Sequence, residues 1–358
     1  MIEKDKKTIG ILGGGQLGKM LSDAAIKLGF NTHIYSPDVN SPAFRNATYN
    51  TIEKFEDKKK LKKFIDTVDL VTIEFENIPL TTIEYISQHK PIYPPPAAIE
   101  ISQDRLKEKD FFIKNKIKTN NFKNIESIND LNSWTFDRKS VLKTRRFGYD
   151  GKGQKIITSL EDAQKAYLDF NEYPCLIEEF VEYTKEVSTI SARDTFGNIF
   201  TYLPSENIHK DHILDRSFVP ASISKDLGTE LKQISSIILS ELNYIGILSI
   251  EFFVRVNQQT KEEELIANEI APRVHNSGHW TLDGSDISQF EQHIKSIVGK
   301  KINEPKLIFK TEMLNIIGED INYWNKLNST EHKKIYLYGK DSIRKGRKMG
   351  HVNFINKN

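Results

Sequence analysis

The sequence predicts a mixed α/β and α+β protein of more than one domain, on three observations. An apolar strand ending in glycines opens the chain and runs into a helix and a second strand; apolar strands with polar turns dominate the middle; and a proline cluster, "PIYPPPAAIE", separates the two regimes near residue 100. With 358 residues, 38% of them hydrophobic, the chain has enough apolar material for two or three packed units.

In order, "KTIGILGGG" is a strand, "QLGKMLSDAAIKLGF" has helical spacing and "NTHIY" is a second strand, which together make a βαβ opening. The lysine-rich "KFEDKKKLKKFIDTV" reads as an amphipathic helix with a solvated face, turning Leu61, Phe64, Ile65 and Val68 inward. "VDLVTIEFENIP" adds a strand on which Glu74 and Glu76, two apart, share a face. After the prolines come a charged helix, "SQDRLKEKDFFIKNK", and the strands "SVLKT", "QKIIT", "CLIEEFV", "EVSTISARD" and "NIFTYLP". Helices "LEDAQKAYLDF" and "GTELKQISSIILSELNYIG" interrupt them. "ILSIEFFVRV" and "ELIANEIAPRV" pair across a polar turn, "SDISQFEQHIKSIVG" is a closing helix, and "KIYLYGKDSIRKGRKMGHVNF" is a tail of small strands with a basic turn.

Composition narrows the partners. The 51 Lys and Arg against 49 Asp and Glu give a net charge of only +2, so neither nucleic acid nor a membrane surface is expected as a ligand. A single cysteine, Cys175, cannot form an internal disulfide. No apolar run approaches the ~20 residues that span a bilayer, and the start shows no apolar signal segment, so a cytoplasmic location is expected.

Two glycine loops stand out. Gly13, Gly15 and Gly18 fit G-x-G-x-x-G between a strand and a helix, a Rossmann-like arrangement whose helix N-terminus can face a phosphate. A dinucleotide site also needs an acid at the end of the second strand, where this chain has Ser36 and Pro37, so NAD is disfavoured. The loop then either approaches another anion or is a tight turn into the helix. The second loop, "KTRRFGYDGKGQ", sets Gly148, Gly151 and Gly153 among Lys143, Tyr149, Asp150, Lys152 and Gln154, a hairpin able to fold amides and cations over a polyphosphate.

Glu251 in "SIEFFV" and Glu269 in "IANEIAP" lie inside apolar strands, where an unpaired carboxylate is costly. With Asn268 beside one of them they offer only oxygen ligands, the preference of Mg²⁺ that keeps other positions for water and nucleotide phosphates. The alternative is a structural ion pair between one carboxylate and Arg273. His275 and His279 have i, i+4 spacing but flank a Ser-Gly turn, which points to a loop role rather than zinc.

Arg105 in "QDRLKEK", Lys143 in "VLKTRR", then "GYDGKGQ", "IEEFVEYTKEVS", "IEFFV" and "NEIAPRVHNSGHW" resemble, in that order, the ATP-grasp superfamily. Within it "GILGGGQLGKML", "EFENIP", "APRVHNSGHW" with "ISQFEQH", and "GRKMGH" resemble the N5-carboxyaminoimidazole ribonucleotide synthetases of bacterial purine biosynthesis, over essentially the whole chain. The resemblance implies an ATP-grasp fold with a Rossmann-like pre-ATP-grasp domain over 1–100, a lid over 101–184, a core over 185–302 and a small β-rich extension over 303–358. It implies an ATP-dependent ligase that uses MgATP, with Mn²⁺ as a substitute, and bicarbonate to carboxylate 5-aminoimidazole ribonucleotide through carboxyphosphate. A homodimer is implied as well. A formyl-transferring or other carboxylating ATP-grasp enzyme and a non-catalytic binding module are the alternatives; "EFENIP" and "NSGHW" disfavour the first, intact Lys143, Glu251, Asn268 and Glu269 the second.

The resemblance also implies roles. Arg105 and Lys143 would meet the ATP phosphates under the loop Gly148 to Gln154. Glu178, Glu179, Phe180 and Val181 would serve adenine, Glu186 the ribose, and His209 would lie nearby. Glu251 and Glu269 would hold the metal, with Asn268 beside them, and Arg273 would sit by carboxyphosphate. Gln16, Leu17, Glu74, Glu76, Tyr149, Asn276, Lys340, Arg347 and Lys348 would bind the ribonucleotide. One departure is Phe147, where the family pattern leads one to expect a further glycine before "GYDG".

Overall fold

The computed structural model describes residues 6–148, 152–257 and 259–356. The first sheet is built from β1 (Thr8–Leu12), α1 (Gln16–Lys27), β2 (Asn31–Ser36), β3 (Tyr49–Ile52), α2 (Lys58–Asp66), β4 (Leu70–Ile73), α3 (Leu80–Ser87) and β5 (Ile92–Tyr93). Its strands are all parallel, in the order β3-β2-β1-β4-β5, as a βαβ opening requires. The lysine run forms α2, capped by the Asp57 carboxylate on the Lys60 N–H, with Leu61, Phe64 and Ile65 buried beneath it and Val68 just beyond.

Two short helices lead out of this domain, α4 (Pro96–Ser102) and α5 (Arg105–Lys114), the second capped by Asp104. The expected lid begins at 101, yet α5 inserts Phe112 among Val187, Leu248, Ile250 and Phe252 of the core, so it braces the core rather than the lid sheet. A four-stranded antiparallel sheet follows, of β6 (Phe122–Ile125), β7 (Ser140–Thr144), β8 (Gln154–Ile157) and β9 (Cys175–Glu179), with α6 (Leu160–Asp169) laid on it. Ile125, Leu131, Leu142, Ile157, Tyr167 and Ile177 give it a separate apolar centre. A body with its own core can move as a unit against its neighbour.

The largest sheet contains β10 (Lys185–Arg193), β11 (Ile199–Thr201), β12 (Ser205–Lys210), β13 (Ile213–Val219), β14 (Gly246–Val256) and β15 (Glu263–Ala271), with α7 (Lys225–Glu241), α8 (Thr281–Gly284) and α9 (Gln289–Ile297) around it. The segment expected as a C-terminal extension supplies β16 (Lys310–Ile317), α10 (Ile321–Trp324), β17 (Lys333–Leu337) and β18 (Lys348–Asn356). Its three strands continue this sheet through β13–β16 pairing, so the basic turn before β18 is held by the core's own hydrogen-bond ladder. One apolar cluster joins Ile9, Ile11 and Leu21 of the first domain to Ile190, Trp280 and Phe290 of the core. That continuity fixes the first glycine loop relative to the core sheet. No helix among the described residues is long and apolar enough to cross a membrane.

Candidate active site

The first glycine loop is closed from within. β4 ends at Ile73, so Glu74 and Glu76 are loop residues and do not share a strand face as expected. Glu74 turns back under α1, where its carboxylate accepts the Gly15 N–H at 2.5 Å and the Gly18 N–H at 2.8 Å. A Cβ on Gly15 would stand 2.6 Å from Glu74 Oε1, so only glycine admits this approach. Burial raises the Glu74 pKa, and the two amides, Arg273 and Lys340 offset part of that rise. An acid of the chain itself thus occupies the place where a dinucleotide phosphate would lie. Leu17 is buried in the core, so its side chain faces away from any ligand.

Glu76 instead meets Arg273 in a two-pronged ion pair across the domain junction, Nη2 to Oε1 at 3.0 Å and Nε to Oε2 more closely. Burial favours the neutral acid, but Arg273 prevails and holds the Glu76 pKa below the usual carboxylate range. Arg273 therefore pairs with neither Glu251 nor Glu269, the structural alternative that the sequence left open.

Those two acids are direct cross-strand neighbours on β14 and β15. The register slips immediately afterwards, Phe252 pairing with Ala267, which leaves Asn268 as the extra residue of a bulge. A bulge re-aims the side chains beside it. Asn268, Glu251, Glu186 and His209 consequently line one pocket, while Glu269 lines the adjoining cleft with Arg105, Glu108, Arg146, Phe147 and Gly148. Burial and the neighbouring Glu269 charge push Glu251 up to about 7. Two half-buried carboxylates side by side, with the Asn268 amide next to them, supply the oxygen donors that a hard divalent cation takes, while the His275 ring nitrogen stands 3.6 Å from Glu251 Oε1 and His209 lines the same pocket. Glu186 hydrogen-bonds the His209 ring; burial opposes charging the ring, but Glu186 and Glu251 raise its pKa.

The cations gather on the other side of the cleft. Arg105 Nη1 lies 3.7 Å from Glu269 Oε2, and its buried Nε has no hydrogen-bond partner among the described residues. Lys143 on β7 pairs with the Glu178 carboxylate on β9, whose other oxygen is 3.5 Å from the ammonium of Lys109. Burial alone would raise the Glu178 pKa, but Lys143 and Lys109 hold it at about 2. Nearby, the Glu179 carbonyl accepts from the Asn120 amide and the Phe180 N–H donates to the Lys139 carbonyl, both at 2.9 Å.

Lys109 and Glu108 were not singled out from the sequence. Burial and Glu269 push Glu108 up to about 8, and it accepts the Ile270 N–H at 2.6 Å. The available signal was helical spacing: Arg105, Glu108, Lys109 and Phe112 fall on one face of α5, and Phe112 marks that face as inward.

Of the second loop, Tyr149, Asp150 and Gly151 lie outside the described residues. Its start is laid on Arg105, for a Cβ on Gly148 would stand 2.8 Å from Nη2. Phe147 has φ 64° and is 64% exposed at the cleft mouth, with Arg146 over its ring. A bulky side chain in the left-handed region is strained, so the departure from the glycine of the family pattern carries a conformational cost.

The expected ribonucleotide ligands are spread over two neighbourhoods. Asn276 is buried in a reciprocal amide pair with Asn315, at 3.0 and 2.8 Å. Arg347 Nη1 donates to the Ser342 carbonyl and hydroxyl, which shapes the basic turn. Lys340 donates to the Lys348 carbonyl and acts electrostatically on Glu74, whereas Lys348 acts on Glu251 and His209. His275 caps the turn 276–278 through Ser277, and His279 is buried beside His351 and Phe290.

Sequence and fold comparisons identify the relatives of this chain. A ribonucleotide synthetase pre-ATP-grasp domain matches residues 6–103, an ATP-grasp domain 110–290 and the phosphoribosylaminoimidazole carboxylase C-terminal domain 311–358. The N5-carboxyaminoimidazole ribonucleotide synthase of Brucella melitensis is 40% identical over 98% of this chain and 97% of its own. The chain belongs to the N5-carboxyaminoimidazole ribonucleotide synthase family. The Bacillus subtilis member of that family is 34% identical over 97% of this chain and 91% of its own. Among solved members, the Staphylococcus aureus enzyme in complex with ADP superposes with a TM-score of 0.91 at 32% identity, covering 99% of this chain and 95% of the other. The matched ATP-grasp domain, residues 110–290, includes both β14–β15 and the lid sheet.

Proposed function

We propose that the protein carboxylates 5-aminoimidazole ribonucleotide, consuming ATP and bicarbonate and releasing ADP and phosphate. Family membership supports the reaction, and one observation carries it to this chain's residues: Glu269, the cross-strand neighbour of Glu251, lines one cleft with Arg105 and with Glu76, which reaches over from the first domain to grip Arg273.

The γ-phosphoryl group of ATP passes to a bicarbonate oxygen, giving ADP and carboxyphosphate. The amine lone pair of the ribonucleotide then forms the new C–N bond, the C–O bond to phosphate breaks, and the amine gives up a proton as phosphate leaves. Glu251, Glu269 and Asn268 would hold Mg²⁺, for which Mn²⁺ can substitute; when bound it neutralises charge on the transferring phosphates. Arg105 and Lys143 stabilise the same phosphates, and Lys109 fixes Glu178 so that Lys143 keeps its place. Arg273, aimed by Glu76, faces the carboxylate side of carboxyphosphate. Lys340, Arg347 and Lys348 supply cations for the phosphoribosyl group. Closure of the lid over the cleft excludes water from the activated carbon. A homodimeric assembly and a cytoplasmic location belong to the proposal on family resemblance alone.

The test is ADP formation with each substrate omitted in turn. ADP should appear at full rate only when bicarbonate and 5-aminoimidazole ribonucleotide are both present. Formate replacing bicarbonate, or undiminished turnover without the ribonucleotide, contradicts the reading.

A further inference from the structure

The structure assigns a coupling role to Gln103, which lines the cleft beside Arg105 and has all its amide contacts made within the protein: it links the loop carrying Glu76 to the base of the ATP lid. Gln103 follows α4 and is 9% exposed. Its amide nitrogen donates to the Glu76 carbonyl and to the Ile78 carbonyl, both at 2.6 Å. Its amide oxygen accepts from Arg146 Nη2 at 2.9 Å. Two carbonyls can only accept and a guanidinium can only donate, so the bridge needs two donors and one acceptor on a single planar group. Among side chains that is a primary amide. All three contacts are used at once, which fixes both the amide orientation and the separation of the two loops.

What lies at the ends of this bridge gives it a function. On one side Glu76 grips Arg273, so the residue whose carbonyl Gln103 holds also carries the carboxylate that a ligand engaging Arg273 would compete with. On the other side Arg146 leads directly into Phe147 and Gly148, and Gly148 rests on Arg105. The same lid base is fastened by Asp104, which takes a two-pronged bond from Arg145 at 2.6 and 3.0 Å, and by the Arg105 N–H on the Arg145 carbonyl at 3.0 Å. Displacement of the 76–78 loop is thereby passed to the lid over three hydrogen bonds. Ribonucleotide and nucleotide affinities are linked, and by reciprocity each ligand tightens the other equally. The inference rests on the proposed function, because it takes 5-aminoimidazole ribonucleotide as the ligand at the Glu76–Arg273 pair.

The experiment measures the Kd of a non-hydrolysable ATP analogue with and without saturating 5-aminoimidazole ribonucleotide, in wild type, Gln103→Met and Gln103→Glu. Methionine keeps the volume and removes all three bonds. Glutamate keeps the acceptor for Arg146 but sets a carboxylate against two carbonyls, and gives a second route should the methionine variant fold poorly. In wild type the ribonucleotide should tighten the analogue about fivefold or more. In both variants that factor should fall to within about twofold of one, while the Kd for each ligand alone stays within about threefold of wild type. Coupling that survives in Gln103→Met, or none in wild type, overturns the assignment. Failure of the ribonucleotide to bind wild type at all contradicts the functional reading beneath it.

Discussion

The two glycine loops look alike in sequence and differ in what their surroundings supply. In the first, the Gly15 and Gly18 amides are already bound to the Glu74 carboxylate, the helix behind them packs into the inter-domain core, and the cations Arg273 and Lys340 act on Glu74. In the second, the start of the loop rests on Arg105, runs out from a strand bearing Lys143, and shares an open cleft with Glu269. A glycine-rich turn before a helix signals close backbone approach, and the approaching group can be the protein's own acid. Charge separates the two turns: the first loop's amides already hold an acid of the chain, whereas the second starts among the cations Arg105, Arg145 and Arg146.

The division can be broken most severely at the metal side. Glu269→Gln should fold normally and lose about three orders of magnitude in kcat, since one ligand and one charge are removed beside the transferring phosphoryl group. Near-normal turnover at ordinary Mg²⁺ would remove Glu269 from the site.

Next in size is Glu178→Gln, which leaves Lys143 and Lys109 without their buried counterion. Taking one partner from a buried pair costs about 3 to 5 kcal/mol, to be read by chemical denaturation. The same residue sets an acid limit. Its folded pKa of about 2 lies below the reference value of 4.5, so its contribution is complete above about 4.5 and is lost as pH falls toward 2. Wild type should therefore lose stability through that window, and the Gln variant should show less of this dependence.

On the ribonucleotide side, Arg347→Ala should raise the KM for 5-aminoimidazole ribonucleotide about ten- to hundredfold, the equivalent of one charge-assisted hydrogen bond of roughly 1.5 to 3 kcal/mol. The KM for ATP should barely move. A parallel rise in both would erase the distinction between the two loops.

The smallest expected effect is the most specific to this chain. Phe147→Gly relieves a left-handed backbone strain and removes the ring at the cleft mouth, loosening the lid. The ratio of ADP formed to carbamate formed should rise about twofold as carboxyphosphate meets water. An unchanged ratio would make Phe147 a tolerated surface residue.

Much of this was legible in the sequence where chemistry and periodicity coincided. Glu251 and Glu269 were visible because a carboxylate inside an apolar strand needs a reason, and α2 because Leu61, Phe64 and Ile65 recur at helical spacing. What escaped depended on contacts across many residues. Glu74 closing a loop 56 to 59 residues earlier, and Arg273 reaching Glu76 over a separation of 197, leave no local pattern. The bulge that re-aims Asn268 is a register event between two strands, invisible in either alone. Glu108 and Lys109 were hidden differently: on a helix rich in both charges, only the inward position of Phe112 separates buried charges from solvated ones.

Amide hydrogen exchange with and without MgADP tests the central claim most directly, because it reads both loops in one experiment. The account predicts that the nucleotide slows exchange in peptides covering 143–154 and 178–181, while Gly15 and Gly18, already bonded to Glu74, exchange slowly in both states and do not change. Protection appearing at 13–18 with none at 143–154 would contradict it.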